Sequence, residues 1–267
     1  MSVALSFLRR DLSVALSYRL SFILQFGGIF FNVAVFYFLS QLFGNNLVSQ
    51  LDQYGGDYFS FVLVGIAFTG YMGLSLSTFA GSIRQSQITG TLEIMLLSPT
   101  RLSVILISSS LWSYLLTTIN VLVYFLLGIF VFGVNLGQAN FFTAIIVLIL
   151  SITSFSGIGI LAAAFILWTK RGDPITWVFG SLSTLLAGVY YPVTVLPDWL
   201  EPISNIVPMT HALDAMRLAM LQGYSLYEVR YNIFALLGFT LVLTPLAFLV
   251  FRKALKRAKM EGSLIQY

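Results

Sequence analysis

The chain alternates between long apolar runs and short clusters of charge. Five runs carry no Asp, Glu, Lys, Arg or His: Leu20 to Leu51, Tyr58 to Ile83, Leu102 to Thr169, Pro174 to Pro197 and Tyr231 to Phe251. A helix rises about 1.5 Å per residue, so about 20 residues cross a hydrocarbon core about 30 Å thick. Four of the runs therefore hold one span each. The third is far too long for a single crossing, and Gly133, Asn135, Gly137 and Asn140 gather as turn residues near its middle. It divides into two, and six spans are predicted: Ser21 to Phe43, Tyr58 to Ala80, Ser103 to Phe132, Phe141 to Trp168, Ile175 to Leu196 and Tyr231 to Phe251.

Ahead of the first span, Ser2, Ser6, Arg9, Ser13 and Ser17 recur at helical spacing, while Leu5, Leu8, Leu12, Ala15 and Leu16 fall on another face. This predicts an amphipathic helix over 1–20 lying in the membrane interface. A cleavable leader fits less well, because the apolar run exceeds a leader's core and no small-residue cleavage site follows closely.

Composition sharpens the picture. Of 267 residues, 58% are hydrophobic and 9% charged, against about a quarter charged in soluble domains. No polar stretch is long enough to fold separately, so one membrane domain over 1–267 is expected. The absence of cysteine removes disulfides and thiol chemistry, and a lone histidine, His211, removes the usual zinc sites. The net charge of +4 is no sign of a nucleic-acid partner, since the basic residues sit at the ends of apolar runs. With both termini on one side, that side holds every Lys and Arg except Arg217 and Arg230. The positive-inside bias then places both termini in the cytoplasm. The basic tail from Arg252 to Lys259 reads as an anchor to anionic lipid.

The runs that contain the spans lack ionisable groups of the kind proton-coupled and ion-driven carriers keep. Lys170, Lys253, Lys256 and Lys259 follow Thr, Arg, Leu and Ala, so no Gly-Lys pair exists for a phosphate-binding loop. Energy for any work has to enter through a cytoplasmic surface, and the loop 81–101 is the longer of the two internal candidates. Its second half predicts a short helix: Gly90 permits a sharp entry, Thr91 serves as N-cap, Glu93 lies in the first turn and Pro99 ends the helix after Ser98. Ile94, Met95, Leu96 and Leu97 make it apolar. It either inserts into a partner's groove or lies on lipid.

Gly90-Thr91-Leu92-Glu93, then Leu96-Leu97 and Ser98-Pro99, resembles the coupling segment of ABC type 2 exporter permeases. Tyr190-Tyr191-Pro192-Val193-Thr194-Val195-Leu196-Pro197-Asp198-Trp199-Leu200, followed by Pro208-Met209-Thr210-His211-Ala212-Leu213-Asp214-Ala215-Met216-Arg217, resembles the same family's signature before its last span. The resemblance implies an all-α integral membrane protein with six spans, an N-terminal interfacial helix, a cytoplasmic coupling helix and short outer helices before the last span. It implies a permease of the bacterial cytoplasmic membrane, a homodimer of such chains, and two cytoplasmic ATP-binding subunits that hold the ATP and magnesium, with no cofactor on this chain. Gly90 to Pro99 would contact the ATPase, and the outer segment 197–230, with Tyr191, Pro192, Pro197, Pro208, His211, Asp214 and Arg217, would close the outer side. Relatives carry acidic residues just before the Gly-Thr pair, where this chain has Arg84, Gln85 and Gln87.

Small residues mark two faces. Gly65, Thr69, Gly73, Ser77 and Gly81 recur every fourth position in the second span, and Gly180, Thr184 and Gly188 repeat the pattern in the fifth. Close helix packing and a lining for the transport path are both compatible with them. Asp173-Pro174 reads as an N-cap with Pro at the first helical position. Pro192 and Pro245 mark kinks or hinges. His211, Asp214 and Arg217, three apart, share a helical face and suggest an ion-paired cluster. A membrane enzyme built on His211 is the distant alternative to an exporter of an amphiphilic or hydrophobic compound, and export of a lipid-linked glycan the nearer one. Tyr54, Tyr58, Tyr71, Tyr190, Tyr191, Trp199 and Tyr224 fall near membrane boundaries, where amphipathic rings anchor.

Overall fold

A computed structural model describes residues 3–17, 19–43, 48–98, 102–169 and 173–260. Among them every regular element is a helix: α1 (Val3–Ser17), α2 (Arg19–Phe43), α3 (Val48–Leu51), α4 (Tyr58–Ile88), α5 (Leu92–Leu97), α6 (Leu102–Phe130), α7 (Phe141–Thr169), α8 (Pro174–Leu186), α9 (Glu201–Ser204), α10 (Pro208–Leu221) and α11 (Arg230–Met260). Five of them, within α2, α4, α6, α7 and α11, are long and apolar enough to cross a membrane. Their apolar stretches follow the charge pattern, but the helices themselves run on past it: α4 continues beyond Arg84 to Ile88 and α11 beyond Arg252 to Met260.

Helix α7 is the pillar, packing along both α11 and α4. Small residues make the approach possible: a Cβ at Gly159 would stand 2.5 Å from the carbonyl oxygen of Ser75, and one at Gly157 would stand 3.1 Å from Leu243. Helix α6 joins α4, α2 rests on α6 and α4, and α1 lies against α6. The α6–α7 turn forms where expected. Gly133 has φ 76°, the Asn135 side chain accepts from the Gly137 amide at 2.9 Å, and that of Asn140 caps α7 through the Thr143 amide at 3.1 Å.

The expected fifth span is where the structure departs. Ile175 to Leu196 is not one helix: α8 ends at Leu186 after 13 residues, about 20 Å against the about 30 Å needed. The chain then turns at Gly188, with φ 66°, passes through a short 3-10 turn at Val193–Val195, and returns into the bundle. Pro192 accordingly precedes that turn and kinks no helix, whereas Pro245 lies within the continuous α11. The start of α8 is as expected, with Asp173 accepting from the Thr176 amide at 3.0 Å and Pro174 opening the helix.

Helix α10 carries Thr210, His211, Asp214 and Arg217, yet it is largely buried against α7, α4 and α11. It forms the floor beneath the returning segment. The serine hydroxyl of Ser204 donates to the carbonyl of Leu186 at 2.7 Å, and that of Thr210 donates to the carbonyl of Ser204 at 2.7 Å. These bonds satisfy backbone groups that an apolar surrounding would otherwise leave unpaired.

Candidate functional site

Two regions hold the residues singled out by sequence, one at each end of α4. At the end near α6, α4 runs on through Ile88, so the first half of the 81–101 loop is helical rather than open. Gly90 then reverses the chain with φ 67°, a conformation a side chain would resist. The Thr91 amide donates to the carbonyl of Ser86 at 2.9 Å, which closes the turn. Thr91 stands at the N-cap position of α5 but its side chain does not cap, because its hydroxyl pairs with that of Thr89 at 2.9 Å.

Helix α5 is anchored on one side and open on the other. Leu92 is fully buried, packed with Ile83, Leu106 and Ala163, and the Ser86 hydroxyl meets the Met95 sulfur at 3.4 Å. Glu93 is exposed, as are Ile94 at 69% and Leu97 at 82%. The helix thus presents a carboxylate and two large apolar side chains together. Ser98 ends it in extended backbone, while Pro99 and the side chain of Leu96 lie outside the described residues. Gln87, one of the residues that stand in place of the relatives' acidic ones, is buried, and its Oε1 has no partner among the described residues.

At the other end of α4, the outer residues do not form the expected ion pair. Asp214 and Arg217 look in different directions from α10. The Arg217 guanidinium is 2% exposed and donates to three backbone carbonyls: Phe61 at 3.2 Å, Gly188 at 3.0 Å and Val189 at 2.9 Å. It also lies over the Phe61 ring, 3.5 Å from the centroid. Asp214 instead accepts from the Tyr54 hydroxyl at 2.5 Å and from the Asn232 amide at 2.7 Å. Burial, then the neighbouring Asp214 carboxylate, raises the Tyr54 phenol above its ordinary range, which keeps it protonated as a donor. Asn232 joins this network to His211, whose Nδ1 lies 3.0 Å from Asn232 Oδ1 and whose Nε2 lies 2.9 Å from the carbonyl of Asn205.

Both nitrogens of His211 therefore face acceptor oxygens inside the protein, an arrangement that orients a helix and leaves no site for a substrate proton. Among the described residues no cluster of potential metal ligands exists. Tyr54 and Asn232 are the partners sequence reading missed. Asn232 was the only strongly polar side chain early in the last apolar run, and that was the available signal.

The small-residue stripes are only partly packed. Gly65 faces Val189 and Arg217 directly, whereas Gly73 and Ser77 are exposed and a Cβ at Gly73 would meet nothing within 4 Å. Thr69 and Thr184 return their hydroxyls to the carbonyls of Gly65 and Gly180, a local arrangement that satisfies polar atoms in lipid. Thr184 and Tyr191, with Ser181, Leu185 and Tyr190, border an open cleft of about 410 Å³. Pro197 is exposed beyond it, and Pro208 begins the buried α10.

The sequence of the chain matches the family model described as ABC-2 type transporter over residues 6–221, which covers α5, α8 and the whole of α10. The chain belongs to the ABC-2 type transporter family. Among its relatives is a probable multidrug ABC transporter permease, YbhR, of Escherichia coli strain K12, 26% identical over 200 residues that make up 74% of this chain and 53% of the relative. The corresponding protein of Escherichia coli O157:H7 shows the same identity and coverage. The chain spans about half the length of the curated relatives it matches. As an ABC-2 permease it is a membrane protein with several apolar helices.

Proposed function

We propose that the chain is the transmembrane subunit of an ATP-driven exporter for an amphiphilic or hydrophobic compound. Helix α5 is the contact for a separate cytoplasmic ATP-binding subunit, and two copies of the chain pair with two such subunits. The observation that carries this is the two-sided character of α5: Leu92 is locked into the core while Glu93, Ile94 and Leu97 are offered outward. A helix held so firmly can pass on a push, and a helix so exposed can receive one. The printed name of the relatives, a probable multidrug ABC transporter permease, agrees with this reading.

In this reading the five long helices and the shorter α8 make up the six membrane passages, both termini are cytoplasmic, and α1 rests at the interface. The whole chain acts as one domain. ATP and magnesium belong to the partner. The cleft between α8 and its following turn offers hydroxyls of Ser181, Thr184, Tyr190 and Tyr191 beside the apolar Leu185, a mixture suited to an amphiphile. The network of Tyr54, His211, Asp214, Arg217 and Asn232 holds the outer segment shut.

The test is to purify the tagged protein gently, identify co-purifying chains, and compare ATP hydrolysis between wild type and Glu93→Arg. A stoichiometric ATPase whose activity or retention falls in the variant supports the reading. Repeated preparations without an ATPase, with the variant indistinguishable from wild type, would overturn it and leave α5 as a helix resting on lipid.

A further inference from the structure

A strongly apolar cavity lies away from both regions described above. It is a cleft of about 320 Å³ between α6 and α11, floored by Phe79 of α4 and Ala163 of α7, walled by Leu106, Ile107 and Phe248, and bordered by Arg252. That volume lies at the small end of ligand sites, which span about 300–1,000 Å³. The walls belong to helices that apolar solvent surrounds: Ile107 is 53% exposed and Phe248 46%. The cleft therefore opens sideways, toward lipid.

Its charge distribution is one-sided. Arg252 is the first charged residue after the apolar run of α11, and it is exposed at the cleft's border. Lys253 and Lys256 follow on the exposed surface of the same helix. Among the described residues, no acidic side chain and no charged group besides Arg252 lines the cavity. An apolar cleft bordered by a guanidinium is complementary to an amphiphile that joins an acyl chain to a phosphate.

We infer that this cleft is a binding site for an anionic glycerophospholipid taken from the leaflet at the basic end of the bundle, with one acyl chain between α6 and α11 and its phosphate on Arg252. The site is independent of what the exporter carries. It would fill the gap between two helices that do not otherwise pack closely at this level, and so join α11 to α6.

The test uses the full chain, with any subunits that co-purify, in detergent micelles doped with either dioleoyl phosphatidylglycerol or dioleoyl phosphatidylcholine, and counts retained lipid by native mass spectrometry. Wild type should retain phosphatidylglycerol in preference to phosphatidylcholine. Arg252→Gln should lower that preference by about fivefold or more. Lys253→Gln, which removes the same charge from a face of α11 turned away from the cleft, should keep most of it. Ile107→Trp, which fills the cleft from its exposed wall, should reduce retention of both lipids. Equal retention of the two lipids by wild type, equal losses in the two charge variants, or undiminished binding in Ile107→Trp would each overturn the site. Should Ile107→Trp fail to give a monodisperse protein, the paired charge variants decide the matter alone.

Discussion

The guanidinium of Arg217 occupies the space that a side chain at Gly65 would need: a Cβ there would stand 2.7 Å from Nη2 and 2.5 Å from the carbonyl oxygen of Val189. The glycine in α4 and the arginine in α10 are thus one device. Each bond that Arg217 makes goes to backbone, so its three acceptors cannot adjust by changing rotamer. Gly65→Ala is expected to destabilise the protein by about 1–3 kcal/mol through overpacking. Arg217→Lys should not be tolerated well either, because an ammonium lacks the planar fork that reaches several acceptors at once. Thermal unfolding in detergent measures both.

Asn232 joins the two halves of the outer network, donating to Asp214 and facing His211 with its oxygen. Asn232→Ala leaves the half-buried Asp214 carboxylate short of a donor, and a loss of about 1–3 kcal/mol follows. Asp214→Asn should cost a similar amount, since part of its new amide would point at the Tyr54 or Asn232 donors. If catalysis resided on His211, these variants would abolish an activity without shifting the melting temperature. The expected result is the reverse, a lowered melting temperature.

On α5 the buried and exposed residues should separate cleanly. Leu92→Ala opens a cavity in the core and should destabilise by about 2–5 kcal/mol. Glu93→Arg and Leu97→Ser alter exposed positions and should change stability by no more than about 0.5 kcal/mol while sharply lowering coupled ATP hydrolysis. Stability curves and ATPase assays on the same three proteins check this.

The exposed Gly73 and Ser77 face of α4 should meet a second copy of the chain. Because the protein has no cysteine, a single introduced thiol reports without background. Ser77→Cys in membranes should form a covalent dimer with a short bifunctional thiol reagent, whereas Ser154→Cys, wholly buried in the same chain, should not. Absence of cross-linking at both Ser77 and Gly73 would place the partner on another face.

Glu228 lies in the turn between α10 and α11 and accepts from the Ser225 amide at 2.6 Å and hydroxyl at 2.7 Å. The backbone bond first, then the hydroxyl, lowers its carboxyl below the ordinary value. A group depressed in the folded state stabilises above its unfolded value, about 4.3 for glutamate, and loses that contribution as pH falls through the folded one. Protection of the Ser225 amide from hydrogen exchange should therefore be present near neutral pH and decline on acidification below the ordinary glutamate range. Glu228→Gln should show weak protection throughout.

The long helices were legible because charge bounds their apolar stretches: Arg230 opens α11, and Tyr58 follows the capping Asp57, whose carboxylate accepts from the Phe59 and Ser60 amides. The return at Gly188 was not legible. A segment buried inside a membrane bundle is as apolar as one that crosses it, so Pro174 to Pro197 reads as a span, and only the paired signals of Gly188 and Pro192 marked the turn. The short helix at Leu92–Leu97 was readable from Gly90 and Glu93, though its burial pattern was not, since six residues make under two turns. The spacing of Asp214 and Arg217 gave the right helix and the wrong partners. Carbonyls have no sequence signature, and the acceptors that Arg217 found come from α4 and from the very turn that sequence had not resolved.

Helix α4 is a single run of 31 residues, about 46 Å from end to end. At one end its Phe61 carbonyl is held by Arg217, and at the other Gly90 swings the chain directly into α5. Such a rod is a lever. Tilting it by about 5° around its midpoint carries each tip sideways by about 2 Å, which exceeds the slack in any hydrogen bond. Displacement applied at Leu92 would thus reach the far end as a shear on the bond between Arg217 and the Phe61 carbonyl, the one Arg217 acceptor that α4 carries, with no relay of side-chain movements in between.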